Sequence, residues 1–416
     1  MTVHPSVFLG VGLLLLVFAT GWVAMARRMP YPGPLYGLIA RGLGRPLGLG
    51  AAGLALVSYQ AMQLALYAAV GAAAEPLLAS WFGIAVAWWV VALSCWVVVA
   101  VCGVLPIRLI SWLIGTLVLA EIAVLVGYGA ANPPELAALS PRPLEDMPRP
   151  VLGGLLVAAA LTLAGFETTA VHVGRTRHPR RVMPVCVTLL ALLFAAASWA
   201  IGGTAPEGAV ARTFAPWAVT LGRAVLVTGL LAGMIALQEV IVRHLIALGR
   251  ERVLPAALGR RAPASAVPAV VAGAVIGGYA YAGSGIDRWP ERAGAAGILV
   301  LLALTSLAAL LFLNRNPEGE GLWRRLLAPG LATIGLGVLG GLAVADQPML
   351  QTVGGGTVLL GLGYGLALRR ADPVRYAGIG LGGAAVVVTP PLPALPRQRI
   401  PGAHRPERVN SEELTG

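Results

Sequence analysis

Charged side chains are scarce in this chain of 416 residues. Asp, Glu, Lys and Arg make up only 12% of it, whereas 57% of its residues are hydrophobic. Soluble domains are about a quarter charged, so a soluble protein of this size would lack the charges to cover its surfaces. The composition excludes a soluble enzyme and a disordered protein. It predicts a polytopic membrane protein that has the lipid bilayer as its surroundings.

Lysine is absent, so all 30 basic residues are arginine. Without lysine the chain has no P-loop of the GxxxxGK[ST] type to drive an ATP-dependent pump. The arginines lie between apolar segments rather than in one basic domain, so the net charge of +12 does not indicate nucleic acid binding. The three cysteines and five histidines show no metal-ligand spacing, and we expect neither a metal centre nor a cofactor.

Eleven apolar stretches are long enough to cross a membrane, which takes about 20 residues of helix. Their approximate bounds are 7–26, 47–73, 83–104, 109–128, 151–173, 184–203, 218–242, 266–283, 294–313, 326–345 and 351–368. We therefore predict an all-α fold with about eleven transmembrane helices. A transmembrane domain is assigned to 1–376, and a Pro- and Arg-rich tail, expected to be disordered, to 377–416.

The arginines are distributed unevenly between the two sets of connecting segments. Twenty follow the odd-numbered spans, and five lie in the alternate loops. Cytoplasmic loops of membrane proteins carry an excess of arginine and lysine. We expect a bacterial cytoplasmic membrane protein with its N-terminus outside and its C-terminus in the cytoplasm.

Three groups of motifs occur in register with these spans. They are Arg27–Pro46, Gly165–Thr168 followed by His178–Pro184, and Arg243–Arg260. Their order and spacing resemble the amino acid permeases of the amino acid–polyamine–organocation (APC) superfamily, most closely those of high-GC actinobacteria. The resemblance implies a LeuT-like transporter fold, which contains two inverted five-helix repeats.

Aligned on these motifs, the first span of this chain matches the second helix of the family. We therefore expect the first family helix, which carries half of the substrate site, to be absent from this sequence. Two explanations stay open. Either the translation start was assigned too far downstream or the chain was shortened, or the protein truly has eleven helices.

The other half of the substrate site is predicted in the middle of the fifth span. The segment there resembles the family helix that is broken at the bilayer midplane, where free backbone N–H groups can hold a substrate carboxylate. Gly165 would permit the unwound backbone, although close helix packing is an alternative role. Phe166 would cover the substrate, and Thr168 would satisfy freed backbone groups.

Two carboxylates are predicted inside the bilayer, where ionisable side chains are costly and usually functional. The resemblance implies that Glu167 couples substrate or proton movement to closure, but a structural role in the broken helix stays open. Glu121 lies mid-span and is a candidate proton or ion partner, again with a structural alternative.

The remaining candidates for substrate-binding residues are glutamines. Gln60 and Gln63 share one face of the second span, and Gln238 lies at a similar depth in the seventh. They are predicted either to line the substrate cavity or to form hydrogen bonds between helices. Glu239 precedes Arg243 by one helical turn, which predicts an ion pair.

These features predict a secondary active transporter that moves amino acids or related amines by alternating access, proton-coupled or exchanging. The alternative is a transport-inactive membrane protein with a binding or regulatory role, which the absent first helix would favour. No nucleophile–base pair or HExxH spacing occurs, so we expect no enzyme and no catalytic residues.

Overall fold

The computed structural model describes residues 3–29, 34–131, 148–163, 166, 179–201, 216–317, 319–345 and 348–381, and all regular structure among them is helical. The helices are α1 (Pro5–Ala26), α2 (Leu35–Gly42), α3 (Arg45–Phe82), α4 (Trp88–Val104), α5 (Ile107–Ala131), α6 (Arg149–Leu163), α7 (Pro179–Ile201), α8 (Pro216–Arg250), α9 (Arg261–Tyr281), α10 (Trp289–Arg315), α11 (Ala328–Ala345), α12 (Pro348–Ala371) and α13 (Pro373–Gly378). A 3₁₀ turn (Ala256–Gly259) and a π turn (Trp323–Leu327) precede α9 and α11.

Each of the eleven predicted spans contains a helix, from α1 and α3 through to α12. Within the described part of the chain, eight helices are both long and apolar enough to cross a membrane. Helices α4 and α6 are shorter, and the glycine-rich α12 is less apolar. The prediction of an all-α polytopic membrane protein is confirmed.

Local sequence explains where the principal helices start and stop. α1 begins at Pro5, whose missing N–H needs no partner, and the His4 side chain accepts a hydrogen bond from the Ser6 backbone N–H. α3 ends at Gly83, which adopts a left-handed conformation with φ of 65°. Glycine is the usual residue there because it carries no Cβ.

Among the described residues, two groups of helices have few close backbone contacts with each other, although their side chains share one hydrophobic core. One group contains α3, α4, α8 and α9, and the other contains α1, α6 and α7. Between the two groups, the described backbones come close at only a few positions. Helices α10, α11 and α12 pack around them, with α10 lying against α1, α2, α3 and α11.

Helices α3 and α8 connect two separate hydrophobic cores. The first half of α3 and the second half of α8 share a core with α1, α2, α6, α7 and α10 to α12. Their other halves share a second core with α4, α5 and α9. At 38 and 35 residues, these two helices exceed the ~20 residues that a bilayer requires.

Four of the segments predicted to be cytoplasmic meet at one end of the molecule, which we call the arginine-rich face. Arg28, after α1, donates to the carbonyls of Asn316 and Pro317, after α10. Arg315 donates to the carbonyl of Gly42 at 3.2 Å. The end of α12 joins the same face, because Tyr364 Oη donates to the carbonyl of Val253 at 2.9 Å. The assignment of these segments to the cytoplasm stays a prediction.

The segment after α12 also packs on the arginine-rich face. Arg45 donates to the carbonyl of Ala377 at 3.2 Å and lies over the ring of Tyr376. Ile379 is buried in the first core, and the Gly380 N–H donates to Glu251 at 3.1 Å. The predicted tail is therefore packed as far as these residues, and 382–416 lie outside the described residues.

We predict that the contact between α3 and α12 tolerates no side chain at Gly361. A Cβ there would lie 2.7 Å from the Gly50 backbone, whereas one at Gly363 would meet nothing within 4 Å. Gly361→Ala should destabilise the fold by about 1–3 kcal/mol, the usual range for overpacking. Gly363→Ala is the control and should hold or slightly raise stability, since alanine favours helix. Thermal unfolding in detergent measures both, and equal melting temperatures would contradict the contact.

Candidate functional site

A chain of hydrogen-bonded side chains crosses the interior between α3, α8 and α9. Gln63 Nε2 donates to Gln238 Oε1 at 2.9 Å and lies 3.3 Å from the carbonyl of Met234. Gln238 Nε2 in turn donates to the carbonyl and hydroxyl oxygens of Ser265 at 3.1 and 3.2 Å. All three side chains are fully buried. The two amides therefore satisfy each other at the boundary of the two hydrophobic cores.

Gly103 brings α4 into the same junction. A Cβ at this position would collide with the Ser265 hydroxyl and lie 3.1 Å from Gln238 Nε2. The lack of a side chain allows α4 to pack directly over the hydrogen bonds. All four helices of the first group therefore meet at one polar point, which we call the glutamine junction (Gln63, Gln238, Ser265 and Gly103).

Gln60 extends the glutamine junction towards accessible space. Its Nε2 donates to Gln63 Oε1 at 3.2 Å, and it is half-buried. The structure thus brings the three predicted glutamines together. Gln63 and Gln238 use their amides between helices, whereas Gln60 is only half-buried.

An ion-pair cluster lies between α8 and α9, one turn from the glutamine junction. Glu239 pairs with Arg243 at 2.7 Å, as the spacing predicted. It also pairs with Arg261 of α9 at 2.7 Å, a partner that lies 22 residues away and is not evident from helical spacing. The Glu239 side chain is largely buried, so the two guanidinium groups offset the cost of burying its charge.

The predicted break in the fifth span lies beside α6. The described part of this helix covers Arg149–Leu163 and ends just before the predicted break. Phe166 is buried and contacts Phe18 of α1 edge-to-face, with 5.9 Å between ring centroids. Gly165, Glu167 and Thr168 lie outside the described residues.

Glu121 occupies a separate position, where α5 packs on α8. A Cβ on Gly229 of α8 would collide with its carboxylate, so the carboxylate lies directly against that helix backbone. Glu121 is half-buried and belongs to neither the glutamine junction nor the Phe18–Phe166 contact. The predicted site residues that the structure describes are thus distributed over three places.

A buried aromatic cluster under the arginine-rich face received no role from the sequence. His244 of α8 lies 5.5 Å from the Tyr59 ring and 6.2 Å from the Tyr36 ring, between centroids. Burial, and then the charge of neighbouring Glu251, raises the pKa of Tyr36 well above its usual value, so the phenol stays neutral. Tyr36 and Glu251 both belong to the motifs that carry the family resemblance. Their place in those motifs was the only sequence feature that could have pointed to this cluster.

Comparison with known proteins supports the fold. No protein-family model matches the chain, and no curated protein matches it in sequence. The crystal structure of a manganese transporter from Eremococcus coleocola, a histidine-to-alanine mutant, is similar with a TM-score of 0.56. The match covers 88% of this chain and 87% of that chain at 14% sequence identity. The protein is therefore an all-α polytopic membrane protein with the fold of a solved transporter.

We predict that Gln63 and Gln238 are energetically coupled. Gln63→Met should lower stability by about 1–3 kcal/mol, because it leaves the Gln238 carbonyl without its donor in a dry interior. The double variant with Gln238→Met should cost less than the sum of the single variants. Gln351→Met is the control for losing an exposed amide: it removes hydrogen bonds to the carbonyls of Val344 and Ala345, which water can replace, so it should cost less than Gln63→Met. Thermal unfolding of the four proteins measures the coupling, and strictly additive effects would contradict it.

Proposed function

We propose that this protein is a secondary active transporter that moves amino acids or related amines across the bacterial cytoplasmic membrane by alternating access. The observation that supports this proposal best is the division of the described helices into two groups that have few close backbone contacts with each other and meet through apolar side chains of one core. In transporters with inverted repeats, access alternates when one such group rocks against the other around a fixed site.

The two groups differ in the interactions that hold each together. The glutamine junction joins α3, α8 and α9 by directional hydrogen bonds, and Trp96 of α4 donates to the carbonyl of Ala269 of α9 at 2.7 Å. A shift of an ångström would break such bonds. The second group meets mainly through apolar contacts, such as Phe8 on Phe194 and Phe18 on Phe166, which follows α6. One hydrogen bond joins Ser198 of α7 to the carbonyl of Val3, just before α1. Apolar contacts are not directional, and this supports a rigid first group against which the second group moves.

The substrate site in this proposal lies between the groups, beside Phe166 and Gln60. Phe166 marks the predicted break, where backbone N–H groups would receive a substrate carboxylate. Gln60 of α3 offers a partly exposed amide and is proposed to face the break. Glu167 is proposed to couple transport to protons, with Glu121 as a second candidate, and the arginine-rich face is proposed to be cytoplasmic.

The motifs resembling amino acid permeases support an amino acid or amine as the substrate, and we expect no enzymatic activity. The structurally similar protein is named as a manganese transporter, so Mn²⁺ belongs in the first substrate panel. Purified full-length protein in proteoliposomes should take up at least one labelled amino acid or amine under a pH gradient. Uptake of none, by protein that unfolds cooperatively, would favour the transport-inactive alternative.

We predict that Gln60→Ala weakens uptake by raising KM about threefold to tenfold, the value of one lost hydrogen bond to substrate. Gln351→Ala removes the same side chain from the exposed side of α12 and should leave KM unchanged. Initial uptake rates over a range of substrate concentrations compare the two. An unchanged KM in Gln60→Ala would remove this residue from the site.

We predict that Glu167→Gln abolishes uptake or uncouples it from pH while the protein remains in the membrane. The amide keeps the size of the side chain and removes its titration. Uptake is measured at several pH values, beside the matched variant Glu121→Gln. A wild-type pH profile in Glu167→Gln would exclude the coupling role.

Gly165→Val should also block uptake, because a β-branched residue hinders the unwound backbone.

A further inference from the structure

A cavity opens on the arginine-rich face between the segment after α8 and the end of α12. Its volume is about 480 Å³, enough for a phosphate-bearing headgroup. The residues lining it are Arg252, Val253, Leu254, Pro255, Ala256, Tyr364 and Arg375. The hydrogen bond from Tyr364 to the carbonyl of Val253 fixes the distance between its two walls.

Arg252 is held in this wall by an unusual backbone conformation. Its φ of 57° lies in the left-handed region, and among the described residues no other non-glycine residue has a positive φ. The N–H groups of Arg252 and Val253 donate to the carbonyls of Gly249 and Leu248, which closes the end of α8. Glycine usually occupies such a position. An arginine placed there at a conformational cost indicates a use for its exposed guanidinium group.

The second wall adds positive charge. Arg375 lines the cavity, half-exposed, and its one carboxylate partner is Asp372 at 2.8 Å. Arg369 and Arg370 are exposed on the last turn of α12, just before Asp372. Among the described residues, Arg252 and Arg375 line the cavity, and Arg369 and Arg370 lie on the adjoining turn of α12. The carboxylates near them are those of Asp372 and of the buried Glu251, so positive charge is in excess, which favours an anionic ligand.

An exposed apolar stripe on α12 leads to the cavity. Val353, Leu360 and Tyr364 are spaced by seven and four residues, so they lie along one side of the helix, and all three are exposed. Leu360, one turn from the cavity, is 76% exposed. The face of α12 that contacts α3 lies to one side of this stripe, at Gly361 and Gly365.

We propose that the cavity binds the headgroup of an anionic phospholipid, with an acyl chain along Val353 and Leu360. Guanidinium groups form paired hydrogen bonds with phosphate oxygens, and basic sites on the cytoplasmic side attract anionic lipids. A soluble anion would account for the arginines but would make no use of the apolar stripe. Charge and hydrophobic surface together select a lipid.

The test compares phosphatidylglycerol and phosphatidylcholine of the same chain length, added to the full-length protein in detergent and counted by native mass spectrometry. Arg252→Gln with Arg375→Gln should weaken phosphatidylglycerol binding about thirtyfold, since each arginine near an anionic surface contributes a factor of about five. Phosphatidylcholine binding should not change. Arg324→Gln with Arg325→Gln removes an equal charge beside α11 and serves as the control. Equal phosphatidylglycerol binding by the two double variants would overturn the proposal.

A second variant separates binding from folding. Arg252→Gly suits the left-handed backbone, so the melting temperature of the lipid-free protein should not fall, while phosphatidylglycerol binding should weaken about fivefold. Unchanged binding, or a loss that comes with a lower melting temperature, would contradict the proposal. Inorganic phosphate at the lipid's concentration should not displace phosphatidylglycerol. Displacement would identify a site for soluble anions instead.

Discussion

The hydrogen bond between Gln63 and Gln238 is the interaction on which the arrangement of the first helix group depends. Both amides are fully buried between two hydrophobic cores. An unpaired amide in that setting is costly, so α3 and α8 must align where these two side chains meet. Ser265 accepts a hydrogen bond from Gln238 and so brings α9 to the same point. Gly103 has no side chain, which lets α4 pack against Ser265 there. One polar requirement thus fixes the relative positions of four helices.

The two groups of helices differ physically in a way that suits transport. The first is held by directional hydrogen bonds and by the Glu239–Arg261 ion pair. The second is held mainly by aromatic and aliphatic contacts, which allow small displacements, with one hydrogen bond from Ser198 to the carbonyl of Val3. On the arginine-rich face, Glu251 and Arg45 hold the segment after α12 through its backbone groups. The proposed lipid site borders this face, where the bilayer would contact both the protein's charges and its apolar surface.

The sequence predicted the helices well, because membrane spans follow from length and hydrophobicity alone. All eleven predicted spans contain helices, and the Glu239–Arg243 pair follows from spacing on a single helix. It did not predict Arg261 as the second partner of Glu239, nor His244 between Tyr36 and Tyr59. These contacts join residues of different helices, so the periodicity of a single helix cannot predict them.

The glutamines show most clearly what the sequence determines and what only the tertiary structure decides. The sequence by itself determined that Gln60 and Gln63 share a helix face and that buried amides need partners. It left open whether those partners are other helices or a solute. The tertiary structure decided that Gln63 bonds to Gln238 and that Gln60 remains partly exposed. The reason is physical: helix formation is a local property, whereas the partner of a buried amide depends on which helix packs opposite.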